Sequence, residues 1–193
     1  MIRILVVDDH PAVRTGLVAL LRGEPGMVPV AAVEDVAGAL FEAQRHRPDV
    51  VLADYHLKGS DGLSLCLWLK GLPEPPSVLI YTAFAGDGLS LAAAVAGADG
   101  VVDKGAKADE LFAALRTVAA GRSLLPRRPP AAGAAISARL EPEDLPVLGM
   151  RLEGTPLADI ADVLGVSETA ISEHLQSILQ RLRGRERQGL HPS

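Results

Sequence analysis

The sequence predicts an α/β protein with a five-stranded, doubly wound parallel sheet, followed by a small all-α domain. Two observations support the sheet. Short apolar runs alternate with longer segments of helical periodicity over the first 125 residues. These runs are apolar on both faces, as expected for parallel strands covered by helices. A third observation supports the second domain, because only helical segments follow a stretch rich in proline, alanine and glycine.

The predicted strands are, in chain order, "IRILVVD", "MVPVAAV", "DVVLAD", "SVLIYT" and "DGVVD". The predicted helices between and after them cover about residues 11–22, 35–46, 61–71, 87–97 and 106–120. Strict alternation of strand and helix implies right-handed crossovers, which place helices on both faces of the sheet.

The stretch "SLLPRRPPAAGAAISA" has no periodicity and reads as a semi-extended linker. Three helices are predicted after it, in "EPEDLPVLGMRLEG", "PLADIADVL" and "SETAISEHLQSILQRLR". We therefore divide the chain into a first domain at 1–122, a linker at 123–138 and a helical domain at 139–193.

Composition narrows the function classes. The formal net charge is −5, and residues 137–193 hold 6 basic against 9 acidic side chains. DNA-binding modules are usually basic, so this charge argues against a general polyanion binder. No apolar run approaches the roughly 20 residues that span a bilayer, and no secretory signal precedes the first strand. We expect a cytoplasmic protein with no membrane segment, in which the lone Cys66 is a buried apolar side chain.

Polar residues follow the predicted strands at equivalent positions: Asp8, Asp9, Asp54, Thr82 and Lys104. Taken singly, each is more often a cap, a turn former or a surface charge. Taken together, they converge at the edge of the sheet where such folds bind ligands. Crowded carboxylates favour a hard cation such as Mg²⁺. That cation would let one carboxylate attack phosphorus and form an aspartyl phosphate.

The motifs "ILVVDDHPAVRTGL", "PDVVLADYHLKGSDGL", "VLIYTA" and "AGADGVVDKGA" resemble those of the receiver domain of two-component response regulators. With the segment "EGTPLADIADVLGVSETAISEHLQSILQRL", the whole chain resembles the NarL/FixJ class. The resemblance implies a flavodoxin-like receiver and a LuxR-type helix-turn-helix output domain. It also implies a homodimer that controls transcription and accepts phosphoryl groups from a histidine kinase.

The resemblance also implies roles for individual residues. Asp54 would be the phospho-acceptor. Asp9 and Asp54 would coordinate Mg²⁺ with the backbone carbonyl of His56, while Asp8 would act mainly through a bound water. Lys104 would pair with the phosphoryl group, and Thr82 would move to donate a hydrogen bond to it.

Two departures from the receiver pattern lead to expectations. Val101 stands where many receivers have an aromatic switch residue, so we expect that coupling to be absent or rerouted. Lys58 and Gly59 replace a proline that is often found in this loop, so we expect a looser loop.

The output segment predicts a recognition helix with one buried apolar stripe. The stripe recurs at three- and four-residue spacing in Ile171, Leu175, Ile178, Leu179 and Leu182. The residues that we expect to contact DNA are Thr169, Ser172, Glu173, Gln176, Arg181 and Arg183. Glutamine and glutamate can read base edges, and the arginines could bind phosphates, although a solvated C-terminal run fits them equally well.

Other features of this domain favour weak DNA binding. Pro146 is expected to kink the first output helix, and Glu141 and Glu143 stand where the family often has a capping threonine and a base. The terminal "RGRERQGLHPS" predicts a short or missing fourth helix. The alternative to a DNA-binding regulator is an atypical regulator with a degenerate output domain that acts through protein contacts. We do not expect an enzyme acting on small molecules, because aspartate chemistry on a shared fold does not make a substrate pocket.

Overall fold

A computed structural model describes residues 1–83, 87–125 and 139–183. The elements of the first domain are β1 (Ile2–Val7), α1 (Pro11–Gly23), β2 (Met27–Val33), α2 (Val36–His46), β3 (Val50–Asp54), β4 (His56–Leu57), β5 (Ser60–Asp61), α3 (Gly62–Lys70), β6 (Ser77–Thr82), α4 (Asp87–Ala96), β7 (Gly100–Asp103) and α5 (Ala108–Ala119). The helices of the second are α6 (Asp144–Leu152), α7 (Leu157–Leu164) and α8 (Glu168–Arg183).

The predicted five-stranded parallel sheet is confirmed, with the strand order β2-β1-β3-β6-β7. Strand β1 pairs with β2 on one side and with β3 on the other. The chain therefore reverses direction across the sheet between β1 and β3, the position at which doubly wound sheets bind ligands. A small antiparallel hairpin of β4 and β5 was not predicted.

Helices cover both faces of the sheet. Helices α1 and α5 pack on one face, where Leu21 and Leu115 are fully buried against Ile4 and Leu79. Helices α2, α3 and α4 cover the other face, where the core also includes the buried Cys66. The sequence predicts these layers well, because strands that are apolar on both sides need cover on both sides.

The three output helices are confirmed, but the expected kink at Pro146 is wrong. Helix α6 begins at Asp144, so Pro146 lies in its first turn. The first N–H groups of a helix have no partner within the helix, and a proline there removes no hydrogen bond.

The three C-terminal helices pack on the first part of the chain through α4 and α3. Helix α8 contacts both α3 and α4, and α6 contacts α4. A single apolar cluster runs from the core around the sheet into the C-terminal helices and includes Val95, Val147, Ile160 and Leu175.

Two predictions lie wholly or largely outside the described residues. Most of the predicted linker falls at 126–138, and the predicted short or missing fourth helix falls at 184–193. Within the described ranges, no helix combines the length and the apolar character needed to cross a membrane.

Candidate functional site

The site lies where β1 and β3 end side by side. Asp8 follows β1 and is 1% exposed, while Asp54 ends β3 and is 4% exposed. Lys104, just after β7, reaches both carboxylates, with its Nζ 2.7 Å from Asp8 Oδ2 and 2.9 Å from Asp54 Oδ2. Two buried carboxylates therefore share one ammonium group.

The Lys104 ammonium is strongly held in its charged form. Burial alone would lower the pKa of Lys104, but its hydrogen bonds to Asp8 and Asp54 and their negative charges outweigh burial. The pKa of Lys104 consequently lies above its ordinary value. This group remains a cation at neutral pH and can pair with an anion that reaches Asp54.

Asp9 completes a group of ligand atoms that a metal ion could use. One ligand atom each from Asp8, Asp9, His10 and Asp54 lies within 4.8 Å of the others. The Oδ1 atom of Asp9 is buried and makes no hydrogen bond, although the Nδ1 atom of His10 lies 2.6 Å from it. Oxygen-rich ligand sets of this kind suit Mg²⁺, so the residues fit that ion.

Thr82 ends β6 with its side chain fully buried, beside the other polar strand ends. Its register partner on β7 is Asp103, and the backbone N–H of Lys104 donates to the Thr82 carbonyl at 2.6 Å. The structure therefore brings together all five polar residues that the sequence places at the strand ends.

The loop after Asp54 forms a small hairpin, and the expectation that it is looser than a proline-containing loop stays a prediction. His56–Leu57 pairs with Ser60–Asp61, which leaves Lys58 and Gly59 as a two-residue turn. Gly59 has a φ of 75°, a conformation that favours glycine. His56, expected to offer its backbone carbonyl, has an exposed side chain whose ring packs edge-on against Tyr55.

Sequence reasoning missed Gly62, the first residue of α3. A Cβ at this position would lie 2.4 Å from the carbonyl oxygen of Asp54. The N–H of Gly62 donates to the carbonyl of Tyr55 at 2.9 Å, and Asp61 caps α3. The close approach of α3 to the acceptor strand thus requires glycine, and the sequence signal for it is the Asp-Gly pair before an apolar helix.

Tyr81 was also missed. Lys104 Nζ lies 5.7 Å from the centre of the Tyr81 ring, and the Tyr81 hydroxyl donates to the Lys104 carbonyl at 3.3 Å. Val101, at the expected switch position, is a half-buried core residue. An aromatic ring therefore does lie beside Lys104, but it comes from β6 and not from β7.

The predicted DNA-contacting residues lie on α8 with different exposure. Thr169 and Glu173 are exposed, whereas Ser172 and Gln176 are half-buried. The Arg183 side chain lies outside the described residues. The predicted stripe is buried at Ile171, Leu175, Ile178 and Leu179, with Leu182 half-buried beside them.

Arg181 takes part in a buried charge network within the output domain. Its Nη2 donates to both carboxylate oxygens of Asp144, at 2.6 and 2.7 Å, and Asp144 is fully buried. His174 Nε2 lies 2.7 Å from Asp144 Oδ1, and the backbone N–H of Glu141 donates to Asp144 Oδ2. The network joins the start of α6 to the middle and end of α8.

Comparison with known proteins decides the family. The response regulator receiver domain profile matches residues 4–116. The chain is 35% identical to the DNA-binding transcriptional activator DevR/DosR of Mycobacterium tuberculosis, over 97% of this chain and 90% of that protein. It belongs to the response regulators. The regulator is also 30% identical to the nitrate/nitrite response regulator NarP of Escherichia coli, over 96% of this chain and 90% of that protein.

Solved structures agree with this assignment. The receiver domain of the putative response regulator NarL from Mycobacterium tuberculosis is 32% identical, with a TM-score of 0.60 over 63% of this chain and 98% of that one. RcsB of Salmonella enterica, bound to a promoter, has a TM-score of 0.60 at 24% identity, over 94% of this chain and 91% of that one. The second likeness shows the fold over nearly the full length. Together with the relatives, these structures assign the regulator to the NarL class.

Proposed function

We propose that Asp54 accepts a phosphoryl group and that this modification controls transcription through DNA binding by α7 and α8. The observation that carries the first part is the buried pair of Asp8 and Asp54 bridged by the Lys104 ammonium, with Thr82 beside them. This arrangement supplies a nucleophile, a fixed positive charge and a hydroxyl at one edge of the sheet.

In the proposed reaction, a carboxylate oxygen of Asp54 attacks the phosphorus of a phosphohistidine on a kinase or of a small acyl phosphate. The bond between phosphorus and the donor atom breaks, and its electron pair leaves with the donor. Lys104 pairs with an oxygen of the transferred group, and Thr82 donates a hydrogen bond to another. Mg²⁺ held by Asp9, Asp54 and the His56 carbonyl, with Asp8 acting through a water, would neutralise charge on the phosphoryl oxygens.

The test is incubation with acetyl phosphate and Mg²⁺, followed by intact-protein mass spectrometry. The regulator is expected to gain one phosphoryl group, and Asp54→Asn is expected to gain none. Asp103→Asn is a matched control, because it removes a carboxylate at the end of β7 and leaves both Asp8 and Asp54 in place. Phosphorylation that persists in Asp54→Asn would refute the assignment.

The proposal for the output domain rests on the helix-turn-helix arrangement of α7 and α8. Ser167 caps α8, with its Oγ accepting from the Ala170 N–H at 3.1 Å, and Gly165 closes α7 with a φ of 66°. The exposed Thr169 and Glu173 lie on the first turns of α8, the part that enters the major groove in such motifs. The relative DevR/DosR is named a DNA-binding transcriptional activator, which supports the same function here.

The charges on α8 favour a second candidate function. Arg181 is engaged by the buried Asp144, and Glu173 adds negative charge to the exposed face. Phosphate neutralisation supplies much of the affinity for DNA, so these features favour weak binding. The second candidate is therefore a regulator whose output domain acts through protein contacts.

Selection from random DNA, with and without beryllium fluoride and Mg²⁺, separates the two functions. Enriched inverted half-sites would support a dimeric DNA-binding regulator. Enrichment no greater than that for a non-specific control protein would favour protein contacts.

A further inference from the structure

Helix α4 of the receiver is apolar around nearly its whole circumference. Its buried side chains are Leu89, Leu91, Ala92, Ala93, Val95 and Ala96. A surface helix normally has a polar face, and a helix without one is covered on all sides. Here α4 contacts α3 and β7 within the receiver, and α6 and α8 of the output domain. The small side chains of the alanines allow the helices of both domains to pack closely against α4.

The output helices use this cover. The three described helices are 9, 8 and 16 residues long, and both α6 and α8 contact α4. Leu175 and Ile178 of α8 are fully buried within the same cluster as Val95 and Ala96 of α4. Part of the core that holds the recognition helix is thus contributed by the receiver.

A buried arginine closes this interface. Arg151 of α6 is 9% exposed, and its Nη1 donates to the carbonyl of Thr155 at 3.1 Å, within the output domain. Its Nε points across the interface to the carbonyl of Val95 in the last turn of α4, at 3.5 Å. A cation at the C-terminal end of a helix is favourably placed against the helix dipole.

The arginine lies directly over Gly97, the residue that follows α4. A Cβ on Gly97 would lie 2.0 Å from Arg151 Nη2. Gly97 has a φ of 84°, and the N–H of Ala98 closes the helix by donating to the carbonyl of Ala93 at 2.8 Å. The absence of a side chain at position 97 therefore serves both the helix end and the seat of the arginine.

We propose that α4 is a structural helix of the output domain as well as of the receiver, and that Arg151 seated over Gly97 locks the two together. In this arrangement α6, α7 and α8 share part of their apolar core with the receiver. The recognition helix moves with α4, which begins five residues after Thr82. In the docked arrangement Thr169 and Glu173 are exposed, whereas Ser172 and Gln176 are half-buried.

Hydrogen exchange of the full-length chain tests the shared core without phosphorylation or DNA. In the unmodified chain, the slowest amides of α4 and α8 are expected to exchange through one common opening, at matching rates across a series of low urea concentrations. Loss of protection in α8 at lower urea than in α4 would overturn the proposal. This outcome is independent of whether Asp54 is phosphorylated or DNA is bound.

A double-mutant cycle tests the lock. Gly97→Ala is expected to speed exchange in α6–α8 roughly tenfold more than Gly26→Ala, since overpacking adds to the backbone strain. Gly26 is the matched control, because its φ of 87° imposes the same strain while no atom lies within 4 Å of an added Cβ. In an Arg151→Ala background, the additional effect of Gly97→Ala is expected to disappear. An effect confined to the receiver, or one unchanged by Arg151→Ala, would show that the lock does not exist.

Discussion

At the scale of single residues, Gly62 determines how close α3 comes to the phospho-acceptor strand. Gly62→Ala would place a methyl group 2.4 Å from the carbonyl oxygen of Asp54, so the strand or the helix must shift. We expect a loss of about 1–3 kcal/mol in the free energy of unfolding, together with slower phosphorylation by acetyl phosphate. Urea unfolding and phosphorylation time courses measure the two effects.

Gly16→Ala provides the comparison for this substitution. Gly16 lies inside α1, and an added Cβ would meet no atom within 4 Å. Alanine in a helix interior is expected to raise stability by up to about 1 kcal/mol and to leave phosphorylation unchanged. Equal behaviour of the two variants would mean that the contact of Gly62 with Asp54 does not position the acceptor.

Glu173 is the residue at which the charge of the recognition helix can be tested. It is exposed on α8, and its carboxylate repels a phosphate backbone. Glu173→Lys is expected to strengthen DNA binding and to steepen the salt dependence of the association constant by about one ion. Glu153→Lys makes the same change of charge at an exposed position just after α6. An identical gain in both variants would show only a general effect of net charge.

At the scale of secondary-structure elements, α6 is tied to α8 by the carboxylate of Asp144. Burial alone would raise the pKa of Asp144. The hydrogen bonds from Glu141, His174 and Arg181 lower it by more, so the pKa of Asp144 lies below its ordinary value of 3.8. The stabilisation is therefore present above pH 3.8 and is lost as the pH falls through the lowered pKa of the folded state. The protection factors of amides in α6 and α8, which correct for the intrinsic pH dependence of exchange, are expected to fall across that acid range.

Asp144→Asn removes the charge that Arg181 and His174 share. We expect a loss of roughly 2 kcal/mol in the free energy of unfolding, because Arg181 keeps a partly buried charge without its partner and solvent offsets only part of the cost. Asp162→Asn, at an exposed position on α7, is expected to change stability little. A loss of stability in Asp144→Asn no larger than in this control would show that the network contributes nothing.

The sequence predicts most elements because their signals are local. All five sheet strands were recognised as short apolar runs, and the acidic site was recognised because polar residues stand at or just after the ends of four of these strands. The hairpin of β4 and β5 was missed, since a two-residue strand has no periodicity. The partner of Arg181 could not be predicted either, because Asp144 lies 37 residues earlier and only the packing of α6 on α8 brings them together. The sequence of α4 is apolar nearly all round, which indicates that other elements cover this helix on both sides. The sequence-based prediction did not use this pattern.

At the scale of the whole molecule, one apolar core extends from the receiver into the output helices. Trp68, the single tryptophan of the chain, lies on α3, which contacts α8 as well as α4. Its fluorescence therefore reports on the receiver, whereas far-ultraviolet circular dichroism reports on the helices of both domains.

Urea titration of the full-length chain is expected to give coincident transitions with the two probes, as a single cooperative unit requires. Arg151→Ala is expected to separate them, because the output helices then lose their lock on α4 and unfold at lower urea, before the tryptophan signal changes. Arg122→Ala, at an exposed position just after α5, provides the control and should leave the transitions together. Two well-separated transitions in the unmodified chain would mean that the receiver and the output helices are independent folding units joined only by a contact surface.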